Sequence, residues 1–400
     1  MDTNRKKTVI VIGGGYGGLR TVAQLDRKEE CRVLLFDQNS YHFMQTDVYE
    51  LIANEKDFAQ VSVDLFTYCS GLPDVSFHKE EIVGVDFVNK RVISSTNRYT
   101  YDYLVLAVGA RTKFTSKIKG LLEFAHGVKS LPQAMHFKQQ FEMSLFKKVQ
   151  ESGTVCQPLS IVIVGAGLSG VEIAAQMASY AKDFYCANNF LCRKLNIVLI
   201  SSGKTILKGL DSYLVKHSEK VLQDLDIKIR YSTRVTAVNA ASVTLDNGES
   251  IDMDFMLFAG GIEPSGLLEK LQLEKNERGF LSINEYLQVQ GYENVFAIGD
   301  CATLYNNDKF IAPTADVAEQ MADVCVTNIM RSIAKKRLLK HHISSRGVLI
   351  ALGRKRAVGK ISQFYIRGYI AFMMKKLIEK LYLYRLNYYA KRGCRKIFEE

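Results

Sequence analysis

Short aliphatic and β-branched runs alternate along the first 330 residues with longer segments of helical periodicity. Runs such as TVIVI at 8–12 and VLLFD at 33–37 are typical of buried strands, and turn residues follow many such runs. The stretches 8–25 and 160–177 repeat one order: an apolar run, a glycine-rich turn and a helical pattern. Strands that alternate with helices in this way predict parallel sheets and an α/β fold.

Both repeats contain the spacing G-x-G-x-x-G between the predicted strand and helix. The glycines are Gly13, Gly15 and Gly18 in the first loop and Gly165, Gly167 and Gly170 in the second. In such a loop the first glycine permits a tight turn, the second lets the backbone approach a pyrophosphate, and the third allows close helix–strand packing. Two loops of this kind predict two Rossmann-like units that bind two dinucleotides.

The residue that ends the second strand of each unit bears on the choice of nucleotide. Asp37 ends VLLFD about 20 residues beyond Gly18, the spacing of an acid that binds an adenosine ribose. Ser201 stands at the corresponding place in the second unit, with Lys204 nearby. A seryl hydroxyl can contact a ribose, but it does not reject a 2′-phosphate as a carboxylate would. NADH is the favoured donor, and NADPH is the alternative.

A third element follows the second unit. In NVFAIGDCA, Asp300 follows a strand and a glycine, where it is placed to accept hydrogen bonds from ribityl hydroxyls. Pro313 then precedes a helical pattern whose N-terminal dipole would favour an anionic reduced flavin. Together with two dinucleotide loops, this predicts hydride transfer from a nicotinamide nucleotide to FAD.

These motifs, in this order, resemble the type II NADH dehydrogenases, a family of non-proton-pumping NADH:quinone oxidoreductases. The resemblance rests on GGGYGG, NSYHFMQTDVYELIA at 39–53, DYLVLAVGA, GAGLSGVE, NVFAIGDCA and APTADVAEQ. It implies a peripheral membrane flavoenzyme that oxidises NADH or NADPH and reduces a membrane quinone.

The resemblance also implies roles for single residues. Ala107 and Gly109 would close over an FAD held by the first loop, Asp37 and Asp300. The second loop would receive the nicotinamide nucleotide. Glu172 would handle protons near the nicotinamide and quinone, although an acid that satisfies a helix N-terminus is the alternative. Ala318 and Gln320 match the quinone-site motif.

Three positions depart from the family pattern. Asp316 stands where the family has Gln, Gln45 where it has Pro, and Ser201 where it has Glu. A buried Asp316 beside a quinone would be a proton donor with a raised pKa, or it would disfavour quinone altogether. FAD binding is expected to survive all three changes.

The motif positions predict a divided FAD domain at 1–115 and 285–345, with the NAD(P) domain inserted at 116–284. A membrane-associating segment is expected at 346–400. Net charge is +11, yet residues 331–400 contain 19 Lys or Arg against three acids, which makes the body acidic and the tail strongly basic. Such a tail points to an anionic partner.

The tail has the pattern of a basic amphipathic helix. Its apolar positions are Tyr369, Ile370, Met373, Met374, Leu377, Ile378, Leu381 and Tyr384; its cationic positions are Lys375, Lys376, Lys380, Arg385, Lys391, Arg392, Arg395 and Lys396. The uncharged stretch 368–374 is far shorter than the ~20 residues of a spanning helix, which predicts a helix lying on the cytoplasmic side of an anionic membrane. A helix packed on the protein's own body is the alternative, and nucleic acid is not expected as a partner. The family resemblance implies a homodimer formed through this region.

The eight cysteines have no metal-binding spacing, so no metal site is predicted. Neither a targeting segment nor a disulfide framework is expected. Cys156 and Cys301 leave open a sulfide:quinone-type oxidoreductase, which uses cysteines as a sulfur relay. The departures at Ser201 and Asp316 leave open a redox-sensing flavoprotein with little turnover.

Overall fold

The computed structural model describes residues 5–151, 158–187, 195–306 and 309–398. A five-stranded parallel sheet forms the first unit and begins with the apolar run after the N-terminus. Its strands in spatial order are Val295–Ala297, Tyr103–Leu106, Lys7–Ile12, Cys31–Asp37 and Val75–Lys79. The edge strand Val295–Ala297 follows the second unit in the chain, so the chain returns to the first sheet.

A second five-stranded parallel sheet repeats this arrangement. Its spatial order is Ala125–His126, Phe255–Phe258, Leu159–Val164, Leu195–Ile200 and Lys228–Arg230. Four of the six residues are buried in each central strand, Lys7–Ile12 and Leu159–Val164, which matches their apolar sequences. The predicted α/β fold with two Rossmann-like sheets is confirmed.

Smaller β-structures flank the two parallel sheets. Three-stranded antiparallel sheets comprise Ile82–Asp86, Arg91–Ser94 and Arg98–Thr100; Val235–Val238, Ser242–Leu245 and Ser250–Asp252; and Gly347–Ala351, Ala357–Ile361 and Phe364–Arg367. Two-stranded pairs join Tyr41–Phe43 with Ser62–Asp64, Ala110–Thr112 with Ile262–Pro264, Leu281–Ser282 with Ala302–Thr303, and Tyr305–Asn306 with Lys309–Phe310.

The helices cover the sheets and connect them. The α-helices are Tyr16–Leu25, Val48–Ile52, Leu65–Ser70, Leu121–Phe124, Leu131–Glu151, Leu168–Ala187, Ser212–Asp224, Gly266–Lys270, Ala315–Ile333 and Gly368–Phe398. Short 3₁₀ turns occupy Gln45–Asp47, Phe58–Gln60 and Gly299–Cys301. The helix Tyr16–Leu25 buries Leu19, Val22 and Leu25 in the core of the first unit.

The C-terminal helix Gly368–Phe398 packs tightly against Leu65–Ser70 in the first unit. A Cβ atom at Gly393 would lie 1.8 Å from the carbonyl oxygen of Thr67, and one at Gly71 would lie 2.1 Å from that of Tyr389. Two glycines therefore let the two backbones approach closely. Within the described residues, no helix combines enough length with enough apolar character to cross a bilayer.

Candidate active site

The first glycine loop joins the strand Lys7–Ile12 to the helix Tyr16–Leu25 and has no room for side chains at two places. Gly13 has φ +109°, and a Cβ atom there would lie 2.3 Å from the carbonyl oxygen of Ala107. A Cβ atom at Gly18 would lie 1.8 Å from the carbonyl oxygen of Gly13. These contacts fix the turn and seat the helix on the sheet, as the G-x-G-x-x-G spacing predicts.

The second loop repeats the geometry of the first. Gly165 has φ +111°, and its Cβ atom would lie 2.4 Å from the carbonyl oxygen of Ala259. A Cβ atom at Gly170 would lie 1.9 Å from the carbonyl oxygen of Gly165. The two loops therefore have the same backbone geometry, and each lies at the carboxyl edge of a parallel sheet.

The middle glycine of each loop faces open space. A Cβ atom at Gly15 or at Gly167 would meet no atom of the described residues within 4 Å. Gly15 also caps the helix Tyr16–Leu25, and no described side chain accepts from the helix N–H groups there. Each loop therefore has a cradle that a methyl group would fill, and the residues present fit a pyrophosphate.

Asp37 lies beside the first loop, as its spacing predicts. Its Oδ2 atom accepts a hydrogen bond from the Gly14 N–H at 2.7 Å, and Oδ1 accepts from the Asn39 N–H at 2.8 Å. Burial raises the pKa of Asp37, although these donors oppose the shift. The carboxylate thus holds the loop in place at the position from which a ribose would be contacted.

Ala107, Gly109 and Asp300 converge on the same edge of the first sheet. Ala107 follows the strand Tyr103–Leu106 directly against Gly13, and Gly109 has φ +60°. Asp300 lies in the turn Gly299–Cys301 and accepts a hydrogen bond from Lys129 Nζ at 2.8 Å. Sequence reasoning missed Lys129, because nothing local marks a single lysine far from its partner in the chain.

Ser201 directly follows the strand Leu195–Ile200, at the place that the sequence predicts. Its buried hydroxyl donates to the carbonyl oxygen of Thr205 at 2.9 Å and accepts from the Gly203 N–H at 3.3 Å. The hydroxyl is used within its own loop, while Lys204 is exposed next to it. Contact between Ser201 and a ribose stays a prediction.

Asp316 and Gln320 lie one turn apart on the helix Ala315–Ile333 and contact each other. Gln320 Nε2 donates to Asp316 Oδ2 at 2.8 Å and to the carbonyl oxygen of Ser344 at 2.9 Å. The Asp316 side chain is 36% exposed and lies 3.5 Å from Arg346 Nη1, and its role beside a quinone stays a prediction. The Arg346 backbone N–H also donates to Asp316 Oδ2, at 3.4 Å, so this carboxylate has both a cation and hydrogen-bond donors as partners.

The same helix lies against the first glycine loop. A Cβ atom at Gly17 would approach the carbonyl oxygen of Ala318 at 3.3 Å, and one at Gly299 would approach Ala318 Cβ at 3.5 Å. Thr314 caps the helix and accepts from the Val317 N–H at 3.2 Å. The helix N-terminus, the Asp300 turn and the first loop therefore meet at one place.

Glu172 lies in the first turns of the helix Leu168–Ala187, and its partner comes from the far end of the chain. Its Oε1 atom lies 3.1 Å from Lys375 Nζ and accepts from the Ala351 N–H at 3.0 Å. Burial raises the pKa of Glu172, while Lys375 opposes the shift. Burial would lower the pKa of Lys375, but Glu172 and Glu379 raise it to about 12.

Lys375 and Lys376 are therefore not the exposed cationic groups that the helical pattern predicts. Lys376 pairs with Glu50 and, at 2.9 Å, with Glu379. Arg385 of the same helix pairs with Glu319. Sequence reasoning missed these pairs because each joins residues on different elements or, for Lys376 and Glu379, depends on which helix face is buried.

The carboxylates of Asp47, Glu50 and Glu379 lie close enough together to resemble a metal site. The ammonium group of Lys56 already lies among these carboxylates. Its Nζ atom lies 2.6 Å from Asp47, 2.7 Å from Glu50 and 3.8 Å from Glu379. The three acids are thus neutralised by lysines. A metal ion would have to displace these ammonium groups, so the cluster gives no reason to assign a metal site.

Cys301 has the environment of a structural thiol. Its Sγ lies 3.2 Å from the carbonyl oxygen of Leu106 and 3.1 Å from that of Ile298, either of which accepts from the S–H group, and burial raises its pKa to about 12. A thiol of this kind is protonated at neutral pH and is a poor nucleophile. Cys156, the other candidate for a sulfur relay, lies outside the described residues.

Residues 7–322 match the family described as pyridine nucleotide-disulphide oxidoreductase. The match covers both glycine loops and the Asp300 turn, and the chain belongs to this family. Curated relatives named type II NADH:quinone oxidoreductase, from Staphylococcus aureus strains MSSA476 and MW2, are 26% identical over 397 residues, or 97% of each chain. The resemblance predicted from the motifs is confirmed.

Solved structures support the same fold. NDH2 from Plasmodium falciparum in complex with NADH has a TM-score of 0.84 at 17% identity, covering 98% of this chain and 99% of that one. The sulfide:quinone oxidoreductase from Aquifex aeolicus has a TM-score of 0.81 at 18% identity, covering 98% and 95%. At such identities the likeness concerns the fold.

Proposed function

We propose that this oxidoreductase takes hydride from NADH onto FAD and passes the electrons to a membrane quinone, without pumping protons. The observation that carries the proposal is the pair of glycine loops whose middle glycines, Gly15 and Gly167, both open into space. Two cradles of the same design suit two dinucleotides. The names of the curated relatives supply the donor and the acceptor.

The proposed FAD site is the carboxyl edge of the first sheet. Gly13, Gly15 and Gly18 would receive the pyrophosphate, Asp37 the adenosine ribose and Asp300 the ribityl chain, with Ala107 and Gly109 alongside. When bound, FAD accepts hydride from NADH and returns two electrons to the acceptor. Lys129, paired with Asp300, adds a positive charge to this edge.

The proposed nicotinamide site is the second loop, with Gly165, Gly167, Gly170 and Ser201. NADH is the proposed donor. The exposed Lys204 would also be able to pair with the 2′-phosphate of NADPH. Asp316 and Gln320 are proposed to border the quinone site, and Glu172 to handle protons there. We propose domain limits of 1–115 with 285–345 for FAD, 116–284 for NAD(P) and 346–400 for membrane association.

The C-terminal helix supports a peripheral membrane location. Seven of its eight predicted apolar positions are exposed, among them Ile370, Leu377, Leu381 and Tyr384. Exposed cations, including Lys380, continue along the helix. An apolar face of this size, bordered by basic residues, suits the headgroup region of an anionic bilayer on its cytoplasmic side. A homodimer through the same region is the competing arrangement.

The test is an anaerobic two-stage experiment on the purified yellow protein. NADH or NADPH is added first, and loss of the flavin absorbance is followed; a soluble quinone is added second. Rapid bleaching by NADH and recovery with quinone are expected. A flavin that stays oxidised with both nucleotides would contradict the proposal.

Two alternatives make different predictions in this assay. A sulfide:quinone-type enzyme would be reduced by sulfide and would require its cysteines, whereas we expect Cys156→Ser to leave NADH oxidation unchanged. The buried, hydrogen-bonded thiol of Cys301 favours the NADH proposal. A redox sensor would be bleached by NADH but would not turn over with any quinone.

A further inference from the structure

Seven charged side chains lie together between the C-terminal helix, the 45–56 stretch and the helix Leu168–Ala187. They are Asp47, Glu50, Lys56, Glu172, Lys375, Lys376 and Glu379, and their side chains are between 0% and 23% exposed. We refer to this group as the Glu172 network.

Lys375 links the network to Glu172. Its ammonium lies 3.1 Å from Glu172 Oε1 and 3.5 Å from Glu379 Oε1, so two carboxylates share it. The other oxygen of Glu379 lies 2.9 Å from Lys376 and 3.8 Å from Lys56. Glu379 therefore links the Glu172–Lys375 pair to Lys376 and Lys56.

The network contains four carboxylates and three ammonium groups, which leaves one negative charge in excess among these seven. A buried charge without a counter-charge is costly, so the network favours the uptake of one proton. Burial raises the pKa of both Glu172 and Asp47. Burial acts in the same sense on Glu379, but Lys375 and Lys376 together hold its pKa below the usual value.

Other groups face the network from the elements packed around it. Tyr49 donates its hydroxyl to Glu379 Oε1 at 3.0 Å, and the Lys375 and Lys376 ammonium groups lie 5.1 and 5.4 Å from its ring centroid. Glu55 interacts with Glu50 and Lys376 at the edge of the network. The strand Gly347–Ala351 contributes the Ala351 N–H to Glu172.

We propose that Glu379 is a positioning residue that, through its share of Lys375, sets the protonation of Glu172 from the C-terminal helix. The proposal rests on the proposed role of Glu172 in proton handling. Reduction of a quinone by NADH balances as NADH, quinone and one proton giving NAD⁺ and quinol. Two electrons move with the hydride, and the extra proton comes from water, so the protonation of an acid beside the acceptor matters.

The two helix residues act on Glu172 in opposite directions. Lys375 stabilises the Glu172 carboxylate, so Lys375→Met is expected to raise the titration midpoint of Glu172 by about 1–3 pH units. Glu379 repels that carboxylate and draws on the same lysine, so Glu379→Gln is expected to lower the midpoint. A merely structural role would not move the midpoint in opposite directions.

The experiment follows the carboxylic acid band of Glu172 by infrared difference spectroscopy against pH, on the full chain with its flavin. The band is assigned by its loss in Glu172→Gln. Arg385→Gln serves as the control, because it removes another ion pair of the same helix without touching the network; its midpoint is expected to match the wild type.

Opposite shifts in Lys375→Met and Glu379→Gln would support the proposal, and shifts of the same sign or no shift in Glu379→Gln would overturn it. If Glu379→Gln does not fold, Lys56→Met replaces it. Without Lys56, Glu379 draws more strongly on Lys375, so the midpoint of Glu172 is expected to rise; an unchanged or lowered midpoint in Lys56→Met would overturn the proposal. A matching change in the pH profile of quinone reduction is expected. Opposite infrared shifts without NADH:quinone turnover would contradict the proposed function alone.

Discussion

His42 connects the C-terminal helix to the first glycine loop through Tyr382. The Tyr382 hydroxyl lies 3.0 Å from His42 Nε2, and His42 Nδ1 lies 2.9 Å from the carbonyl oxygen of Gly14. Because a carbonyl oxygen only accepts, Nδ1 carries the hydrogen and Nε2 accepts from the tyrosine. The proposed membrane-facing helix thus supports the loop proposed to bind FAD.

Tyr382→Phe is expected to weaken this support. The change leaves Nε2 of a buried histidine without a donor, which costs about 1–3 kcal/mol in the free energy of unfolding. FAD retention on gel filtration should fall with it. Tyr384→Phe on the same helix is the control, since Tyr384 is 71% exposed, and equal losses in both variants would contradict the role of the Tyr382–His42 contact.

The stability of the protein should depend on the neutral form of His42. Burial lowers the pKa of His42 to about 4, below its usual 6.5. The resulting stabilisation is fully present above pH 6.5 and is lost as the pH falls through about 4, with a total of up to about 3 kcal/mol. On acidification from pH 7 to pH 4, the wild type should lose more unfolding free energy than His42→Gln.

The control for this pH series is His342→Gln, because His342 is exposed. This variant should follow the wild type across the whole range. Parallel curves for the wild type and His42→Gln would show that another group accounts for the acid sensitivity.

Alanine at the middle glycines should separate the two nucleotide sites. The backbone has room for a methyl group at Gly15 and Gly167, so both variants should fold. Gly15→Ala places the methyl where the FAD pyrophosphate would approach and should lose the flavin. Gly167→Ala should stay yellow but show a KM for NADH raised on the order of tenfold or more, as expected when about 1.4 kcal/mol of binding is lost.

Gly84→Ala provides the matched control, since a methyl group added at Gly84 would also meet no described atom within 4 Å and Gly84 lies in an outlying antiparallel sheet. It should retain both the flavin and the wild-type KM. Loss of flavin in Gly167→Ala would mean that the sites are not separable.

Negative charge introduced on the exposed apolar face of the C-terminal helix should weaken binding of the protein to anionic membranes. Leu377→Glu and Leu381→Glu place carboxylates on side chains that are 57% and 58% exposed, so the fold should tolerate them. Sedimentation with vesicles of anionic lipid should fall, while reduction of a soluble quinone stays unchanged. Val88→Glu, at a position 91% exposed elsewhere, should bind vesicles like the wild type.

The parts predictable from the sequence are those fixed over a short stretch of chain. Gly18 must be glycine because a Cβ atom there would contact the carbonyl oxygen of Gly13, within the same strand–turn–helix unit. Apolar runs likewise identify the two parallel sheets. Asp37 falls beside its loop because strand and helix lengths fix the spacing.

The parts that escaped prediction depend on contacts between distant segments. Helical periodicity shows that Lys375 and Lys376 share a helix with apolar residues, but it does not show which face is buried. Their partners Glu50 and Glu172 lie more than 200 positions earlier. The contact of Asp316 with Arg346 escaped for the same reason, because Arg346 comes from a loop 30 positions later.

The glycine crossing at Gly71 and Gly393 has a consequence for biosynthesis. The helix Leu65–Ser70 leaves the ribosome early, yet the helix Gly368–Phe398 that packs against it begins about 300 residues later in the chain. Until then, apolar groups such as Tyr68 and Leu19 lack their final cover. The nascent chain therefore has a long interval of exposed surface, in which chaperones and aggregation compete, and premature termination ahead of Gly393 should yield insoluble protein.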